Sequence, residues 1–84
     1  MTRVTMYSRT TCELCDEARE VILAARAEVS FDYDEVFVDG DAALEKDYGV
    51  RVPVVVVDGR EAFELTVDPG AFRAELRAAG RLRD

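Results

Sequence analysis

The stretch VPVVVVDGREAFEL limits the possible folds more than any other part of the chain. Its four consecutive valines, Val54 to Val57, are typical of a strand that is buried on both faces. Asp58 and Gly59 follow directly, and this pair is the strongest short signal for a tight hairpin turn in the sequence. The stretch therefore predicts two strands joined by that turn, at about residues 53–57 and 61–66.

Patterns in the first half of the chain predict two more strands and the helix between them. Residues 3–7 alternate and carry β-favouring types, and residues 31–39 are rich in aromatic and β-branched residues. Between them, apolar residues at helical spacing predict a helix over about residues 13–27. Thr10 and Glu13 have the spacing of a capping box, which would place the helix start on the first cysteine. Two parallel strands linked by a helix form a βαβ unit, whose crossover is almost always right-handed.

Capping signals predict a short second helix after the second strand. Asp39 and Asp41 are residue types that accept hydrogen bonds from a helix start. A helix that begins there can run through Tyr48, and Gly49 is placed to end it.

A third helix is predicted at the end of the chain. Asp68 supplies a capping side chain and Pro69 suits the first helical turn, while Gly80 is placed to stop the helix. Its predicted apolar stripe consists of Phe72, Leu76 and Ala79. The predicted order of elements is therefore β-α-β-α-β-β-α, an α/β arrangement.

Size and charge limit the classes of function. Eighty-four residues suit one domain, and we expect a single domain over residues 1–84 because no repeat or linker interrupts it. Asp and Glu total 18 against 11 Lys and Arg, a formal charge of -7. This balance argues against nucleic acid and anionic membranes as partners. No segment has the roughly 18 apolar residues of a membrane span, and residues 1–7 lack signal-peptide features, so we expect a cytoplasmic protein.

The segment YSRTTCELC holds both cysteines, separated by two residues. In a reducing compartment such a close pair is more often catalytic or metal-binding than a permanent cross-link. A helix start lowers the pKa of a thiol, and the thiolate is the form that attacks a disulfide. Cys12 is therefore the predicted exposed nucleophile. Cys15, one turn further and within disulfide reach, is the predicted buried thiol that resolves the mixed disulfide.

Other interpretations of the cysteine pair remain open. Structural zinc needs four Cys or His ligands, and this chain has two cysteines and no histidine. A zinc or iron–sulfur carrier would thus need carboxylate ligands or two chains, and we expect no metal site within one chain. The pair could also be structural thiols in a non-catalytic binding module. A last alternative is a partner-binding subunit that uses the acidic middle of the chain.

The chain resembles the glutaredoxins of the thioredoxin-like superfamily over essentially its whole length, and most of all short, divergent bacterial members. Their Tyr-Ser-Lys-Thr-Thr-Cys-Pro-Tyr-Cys stretch corresponds to residues 7–15, and their Val-Pro corresponds to Val52-Pro53, followed by a strand and a turn. The resemblance implies a four-stranded mixed sheet in the order 2-1-3-4, flanked by three helices. It also implies a thiol–disulfide oxidoreductase that acts, as an expected monomer, on protein or small-molecule disulfides.

The same resemblance implies roles for residues around the cysteines. It implies a cis peptide bond before Pro53, which would let the Val52 backbone pair with an extended substrate. Arg9 and Thr11 fall in the substrate-binding part of the motif, and Arg9 could stabilise the Cys12 thiolate or bind a carboxylate. An ordinary surface arginine is an equal alternative. The oxidised pair would be recycled by an external reductant, either thioredoxin reductase or glutathione.

Two departures from the glutaredoxin pattern affect these expectations. Glutaredoxins place Pro and an aromatic residue between the cysteines, where this chain has Glu13 and Leu14. An anion beside Cys12 raises its pKa, so we expect a more reducing pair than in a typical glutaredoxin. Glutathione-using members also carry Gly-Gly-x-Asp before the last helix. Here Asp68 is present without the glycines, which weakens the case for glutathione as substrate or reductant and favours a capping role for Asp68.

Overall fold

A computed structural model describes residues 1–83 of the chain, and residues 81–83 by their backbone alone. It contains four strands and three helices in the predicted order. The elements are β1 (Arg3–Ser8), α1 (Glu13–Arg26), β2 (Asp32–Phe37), α2 (Ala42–Tyr48), β3 (Val54–Val57), β4 (Arg60–Glu64) and α3 (Pro69–Arg83).

The strands form one mixed sheet in the order β2-β1-β3-β4, which confirms the predicted architecture. β1 and β2 are parallel, with Val4 opposite Tyr33 and Met6 opposite Glu35. β3 runs antiparallel to β1 and to β4, and the β3–β4 ladder contains an irregularity at Val55. The parallel pair is linked through α1, as the βαβ pattern predicts.

One face of the sheet carries most of the apolar core. Val4 and Met6 of β1 and Val55 of β3 are fully buried against α1 and α3. Phe72 of α3 is also fully buried and meets Phe31 edge-on, with ring centroids 6.0 Å apart. Because every second residue of a strand faces the same side, this core uses the alternate positions of β1 and β3.

The opposite face is covered only in part. Val54 is fully buried there, but Val56 on the same face is half-exposed and lines an open groove of about 580 Å³ with Arg3 and Thr5. The prediction that both faces of β3 are buried is therefore wrong at Val56. The reason is that the only helix on this side, α2, has seven residues and packs beside Tyr7, at the other end of β1.

One predicted capping residue and one predicted helix end differ from the structure. Thr10 does not cap α1; its backbone N–H donates to Asp39 Oδ1 at 3.1 Å, and Cys12 is the capping residue. At the other end of the chain, α3 continues past Gly80 to Arg83. Glycine inside a helix costs only about 1 kcal/mol, which the packing of the buried stripe outweighs. None of the helices in residues 1–83 is long and apolar enough to cross a bilayer.

Candidate functional site

Cys12 and Cys15 form a disulfide at the start of α1, with their Cα atoms 5.2 Å apart. Cys12 has an extended backbone at the N-cap position, and its Sγ accepts a hydrogen bond from the Cys15 N–H at 3.1 Å. Cys15 is fully buried, whereas Cys12 is half-buried. The two sulfurs thus differ in accessibility in the way a nucleophile and a resolving thiol require.

Cys15 packs in a small apolar cluster on the α2 side of the sheet. Val38, just after β2, and Val52 are its other buried members, and Cys12 and Leu44 pack against them. The cluster is completed by the stacked rings of Tyr7 and Tyr48, with centroids 4.1 Å apart and planes 11° apart. Burial raises the pKa of Tyr48, and the neighbouring Tyr7 raises it further.

The Val52–Pro53 segment enters the site next to the disulfide. Its peptide bond is cis, and both residues are buried. The Pro53 carbonyl accepts a hydrogen bond from the Leu65 N–H at 2.8 Å, but neither backbone group of Val52 has a hydrogen-bond partner within residues 1–83. Val52 therefore packs in the cysteine cluster, and its N–H and C=O have no partner among the described residues.

Arg9 connects the loop before Cys12 to the end of α2. Its Nε donates to the Gly49 carbonyl at 2.9 Å, and its Nη2 donates to Glu45 Oε1 at 3.1 Å. A Cβ atom at Gly49 would lie 2.7 Å from Nη2, so glycine leaves the room that the guanidinium occupies. Thr11 lies exposed in the same loop. The bonds that Arg9 makes hold this loop rather than a sulfur atom, and its role toward a substrate stays a prediction.

Asp68 lies at the start of α3, where its Oδ2 accepts a hydrogen bond from the Ala71 N–H at 2.8 Å. The carboxylate thus caps the helix, as expected for an aspartate at this position. A role in ligand binding stays a prediction for Asp68. The loop before it contains Leu65, an exposed residue with a φ of 70°.

A charged network that the sequence analysis missed lies between α1 and β2. Glu35 accepts hydrogen bonds from Arg19 Nε and from the buried Ser8 hydroxyl, each at 2.7 Å, and Arg19 also donates to Asp16. The Arg19 bond is the main reason that the pKa of Glu35 is lowered. Burial, followed by the Glu35 charge, raises the pKa of Tyr33 to about 12. The available signal was the polar residues at core-facing positions of β1 and β2.

Among the predicted site residues, Cys12, Cys15 and Val52 lie in one cluster, and Pro53 follows Val52 in the chain. Arg9 instead forms hydrogen bonds with residues at the end of α2, and Asp68 caps α3. Within residues 1–83, no three His, Cys, Asp or Glu side chains converge in an arrangement that could hold a metal ion.

The sheet order, the three helices and the Cys-X-X-Cys disulfide at a helix start define a thioredoxin-like protein. Comparison with protein families agrees, because the family model described as "Glutaredoxin-like domain (DUF836)" matches residues 3–77. The chain belongs to this glutaredoxin-like family.

Known relatives support the same assignment. The chain is 32% identical over 79 residues to a Mycobacterium tuberculosis chain named "Uncharacterized protein Rv0508", covering 88% of this chain and 81% of the relative. It is similar to the X-ray structure of the structural-genomics target XcR50 from X. campestris, at 46% identity and a TM-score of 0.75, covering 89% and 96% of the two chains. A mutant thioredoxin from Halobacterium salinarum, at 23% identity, 93% and 74% coverage and a TM-score of 0.67, shares the fold.

Proposed function

We propose that the protein catalyses thiol–disulfide exchange through Cys12 and Cys15, with disulfides of proteins or small molecules as substrates. The unequal burial of the two cysteines carries this proposal, since Cys12 is half-buried at a helix start and Cys15 is fully buried one turn further along α1. Unpaired backbone N–H groups at a helix start favour a thiolate, which makes Cys12 the attacking sulfur.

The exchange proceeds in two steps that transfer two electrons. In the reduced protein, the Cys12 thiolate attacks one sulfur of the substrate disulfide, and the substrate's other sulfur leaves as a thiolate that takes up a proton. The Cys15 thiol then loses its proton and attacks Cys12 Sγ, which releases the second substrate sulfur as a thiol. The protein ends as the Cys12–Cys15 disulfide and the substrate as two thiols.

The Val52 backbone is the proposed docking point for the substrate chain. Its N–H and C=O lack partners within residues 1–83 and lie beside the cysteine cluster. An extended substrate segment can pair with these groups as an added strand. Thr11 lies exposed directly before Cys12, and Arg9 holds the loop in which Thr11 lies.

Recycling needs an external dithiol or thiol reductant, such as thioredoxin reductase or glutathione. The Leu65–Asp68 loop lacks the Gly-Gly pair of glutathione-using glutaredoxins, and Asp68 is engaged as a helix cap. These two features favour a protein reductant over glutathione. We place this cycle, run by a monomer, in the reducing cytoplasm, where a close cysteine pair is commonly catalytic.

The test is a single-turnover reaction of the pre-reduced protein with a peptide disulfide, followed by mass spectrometry. Wild type should leave a Cys12–Cys15 disulfide and two peptide thiols. Cys15→Ser, which can attack but not resolve, should accumulate a mixed disulfide on Cys12, and Cys12→Ser should release no peptide thiol. A wild-type protein that leaves the peptide oxidised, or a Cys12→Ser variant that reduces it at the wild-type rate, would refute the proposal.

A further inference from the structure

A narrow apolar groove of about 100 Å³ lies between α1 and the loop that joins β4 to α3. Leu14, Glu17 and Val21 of α1 form one wall, and Leu65 and Val67 of the β4–α3 loop form the other. Leu14 is the residue directly before Cys15, and the Leu65 N–H donates to the Pro53 carbonyl, so each wall is attached to a segment of the redox site. Leu14 is 39% exposed and Leu65 is 44% exposed, which leaves apolar surface open on both walls.

Leu65 has an exposed side chain although its backbone conformation is one that favours glycine. Its φ of 70° lies in the left-handed region, which glycine adopts far more readily than leucine. The Leu65 N–H donates to the Pro53 carbonyl, so this conformation is tied to the segment that enters the cysteine site. Strained positions of this kind concentrate at binding and catalytic sites. The leucine side chain is therefore interpreted as part of a binding surface.

The α1 side of this groove carries negative charge without a counter-ion among the described side chains. The carboxylates of Glu13, Glu17 and Glu20 have no hydrogen bond or ion pair in the part of the chain that the structure describes, whereas the nearby Asp16 is paired with Arg19. Carboxylates three or four residues apart on a helix repel each other. A basic group bound beside Glu17 would relieve that repulsion and complement the groove.

We propose that this groove binds the peptide segment flanking a substrate's disulfide cysteine, and that Glu17 selects segments carrying an aliphatic residue and a Lys or Arg. This inference rests on the proposed thiol–disulfide exchange and adds the substrate class. The occupant is a disulfide-bearing protein or peptide with a basic residue close to its cysteine.

The geometry sets the position of the basic residue. Glu17 is five residues after Cys12, a rise of about 7.5 Å along the helix and a turn of about 140° around it, which places Cα atoms about 9 Å apart on an ideal helix. An extended chain advances about 3.3 Å per residue, so about two or three residues separate the substrate cysteine from the side chain that meets Glu17. The aliphatic residue then lies against Leu14 and Leu65, between the sulfur and the charge.

The test compares reduction rates for two peptide disulfides that differ at one position, two residues from the cysteine, where one carries Lys and the other Glu. The pre-reduced wild-type protein should reduce the Lys peptide about two- to fivefold faster, the range of one exposed ion pair. This preference should shrink with added salt. Glu17→Gln should abolish most of it. Glu20→Gln removes the same charge from an exposed residue of the same helix that does not line the groove, and it should keep the preference.

The outcomes separate this inference from the proposed function. Equal rates for the two peptides, or an equal loss of preference in Glu17→Gln and Glu20→Gln, would overturn the groove assignment and leave thiol–disulfide exchange intact. Failure of the wild-type protein to reduce either peptide would instead refute the exchange itself.

Discussion

The two faces of the sheet are built for different tasks. The face beneath α1 and α3 encloses a continuous apolar core in which Met6, Ile22 and Phe72 have no exposed surface. The face beneath α2 has only a small cluster around Cys15 and an open groove beside Val56. The larger core can hold the fold, while the smaller cluster has few neighbours to rearrange when the disulfide opens and closes.

This difference explains where the reactive sulfur lies. Cys12 caps α1 at the end of the sheet, and its partner reaches from α1 to Val38 and Val52 rather than into the large core. Because the two clusters share no residue, we expect sulfur chemistry at this position to leave the packing of Phe72 and its neighbours unchanged. The following predictions test that separation between the face that stabilises the fold and the face that carries the chemistry.

The largest expected effect comes from the large core. Phe72→Ala should lower the free energy of unfolding by about 3–5 kcal/mol, because it removes a fully buried ring and leaves a cavity. Phe72→Leu should lower it less and leave the exchange rate of the folded protein unchanged. Denaturant unfolding and single-turnover exchange measure the two quantities.

The matched variant in the cysteine cluster is Val38→Ala. It should lower the free energy of unfolding by about 1.5 kcal/mol, the value of two methyl-sized groups. It should also change the equilibrium between dithiol and disulfide, because Cys15 loses a packing neighbour. If Phe72→Leu altered exchange as much as Val38→Ala does, the two faces would not be separate.

The Arg19–Glu35 pair should give an acid-dependent part of stability. Glu35 is only 15% exposed and its lowered pKa comes mainly from the Arg19 bond, so the folded protein holds the carboxylate form more tightly than the unfolded chain does. The stabilisation is then full above the unfolded pKa of about 4.3 and is lost as pH falls through the lower folded pKa.

Glu35→Gln should therefore cost about 1.5–3 kcal/mol at neutral pH, the range for hydrogen bonds to charged groups, and little in strong acid. Thermal unfolding measured from neutral to acidic pH checks this. If the stability difference between Glu35→Gln and wild type stayed constant across that pH range, the charge of Glu35 would not contribute to stability.

Arg9 should act through the geometry of its two hydrogen bonds. Arg9→Lys keeps the charge but cannot reach both the Gly49 carbonyl and Glu45 in the same way, so it should slow exchange nearly as much as Arg9→Gln. Both should cost about 1 kcal/mol of stability. Rescue of the exchange rate and its pH profile by lysine would mean that Arg9 instead stabilises the thiolate by its charge.

The smallest expected effect concerns Glu13. Glu13→Gln should slightly lower the pKa of the Cys12 thiol, because it removes an anion from the residue next to Cys12. The reduced pair should become slightly more oxidising. Thiolate absorbance during a pH titration measures this. A wild-type Cys12 pKa below about 4.5, as in strongly oxidising sites, would contradict a more reducing pair.

The order of the elements was predictable because each carries a local signal. The Val54–Val57 run, the Asp58-Gly59 turn and the Asp41 and Asp68 caps all appear where the sequence patterns predict them. The cysteine pair was predictable for the same reason, since the spacing of three residues and the helix start are both local properties.

The remaining features depend on contacts between distant segments. Val56 is half-exposed because α2 is short, and Cys12 rather than Thr10 caps α1, while the Thr10 N–H binds Asp39, 29 residues away. The link from Arg9 to Gly49 and the left-handed Leu65 likewise arise only in the folded chain. Propensity and spacing carry no information on such pairings.

The most direct measurement of the central claim is the relative reactivity of the two cysteines in the reduced protein. A limiting alkylating reagent at neutral pH, followed by peptide mapping, gives the modified fraction at each residue. The account predicts that Cys12 is modified well before Cys15, because only its sulfur combines access to solvent with a helix start. Equal modification, or faster modification of Cys15, would contradict it.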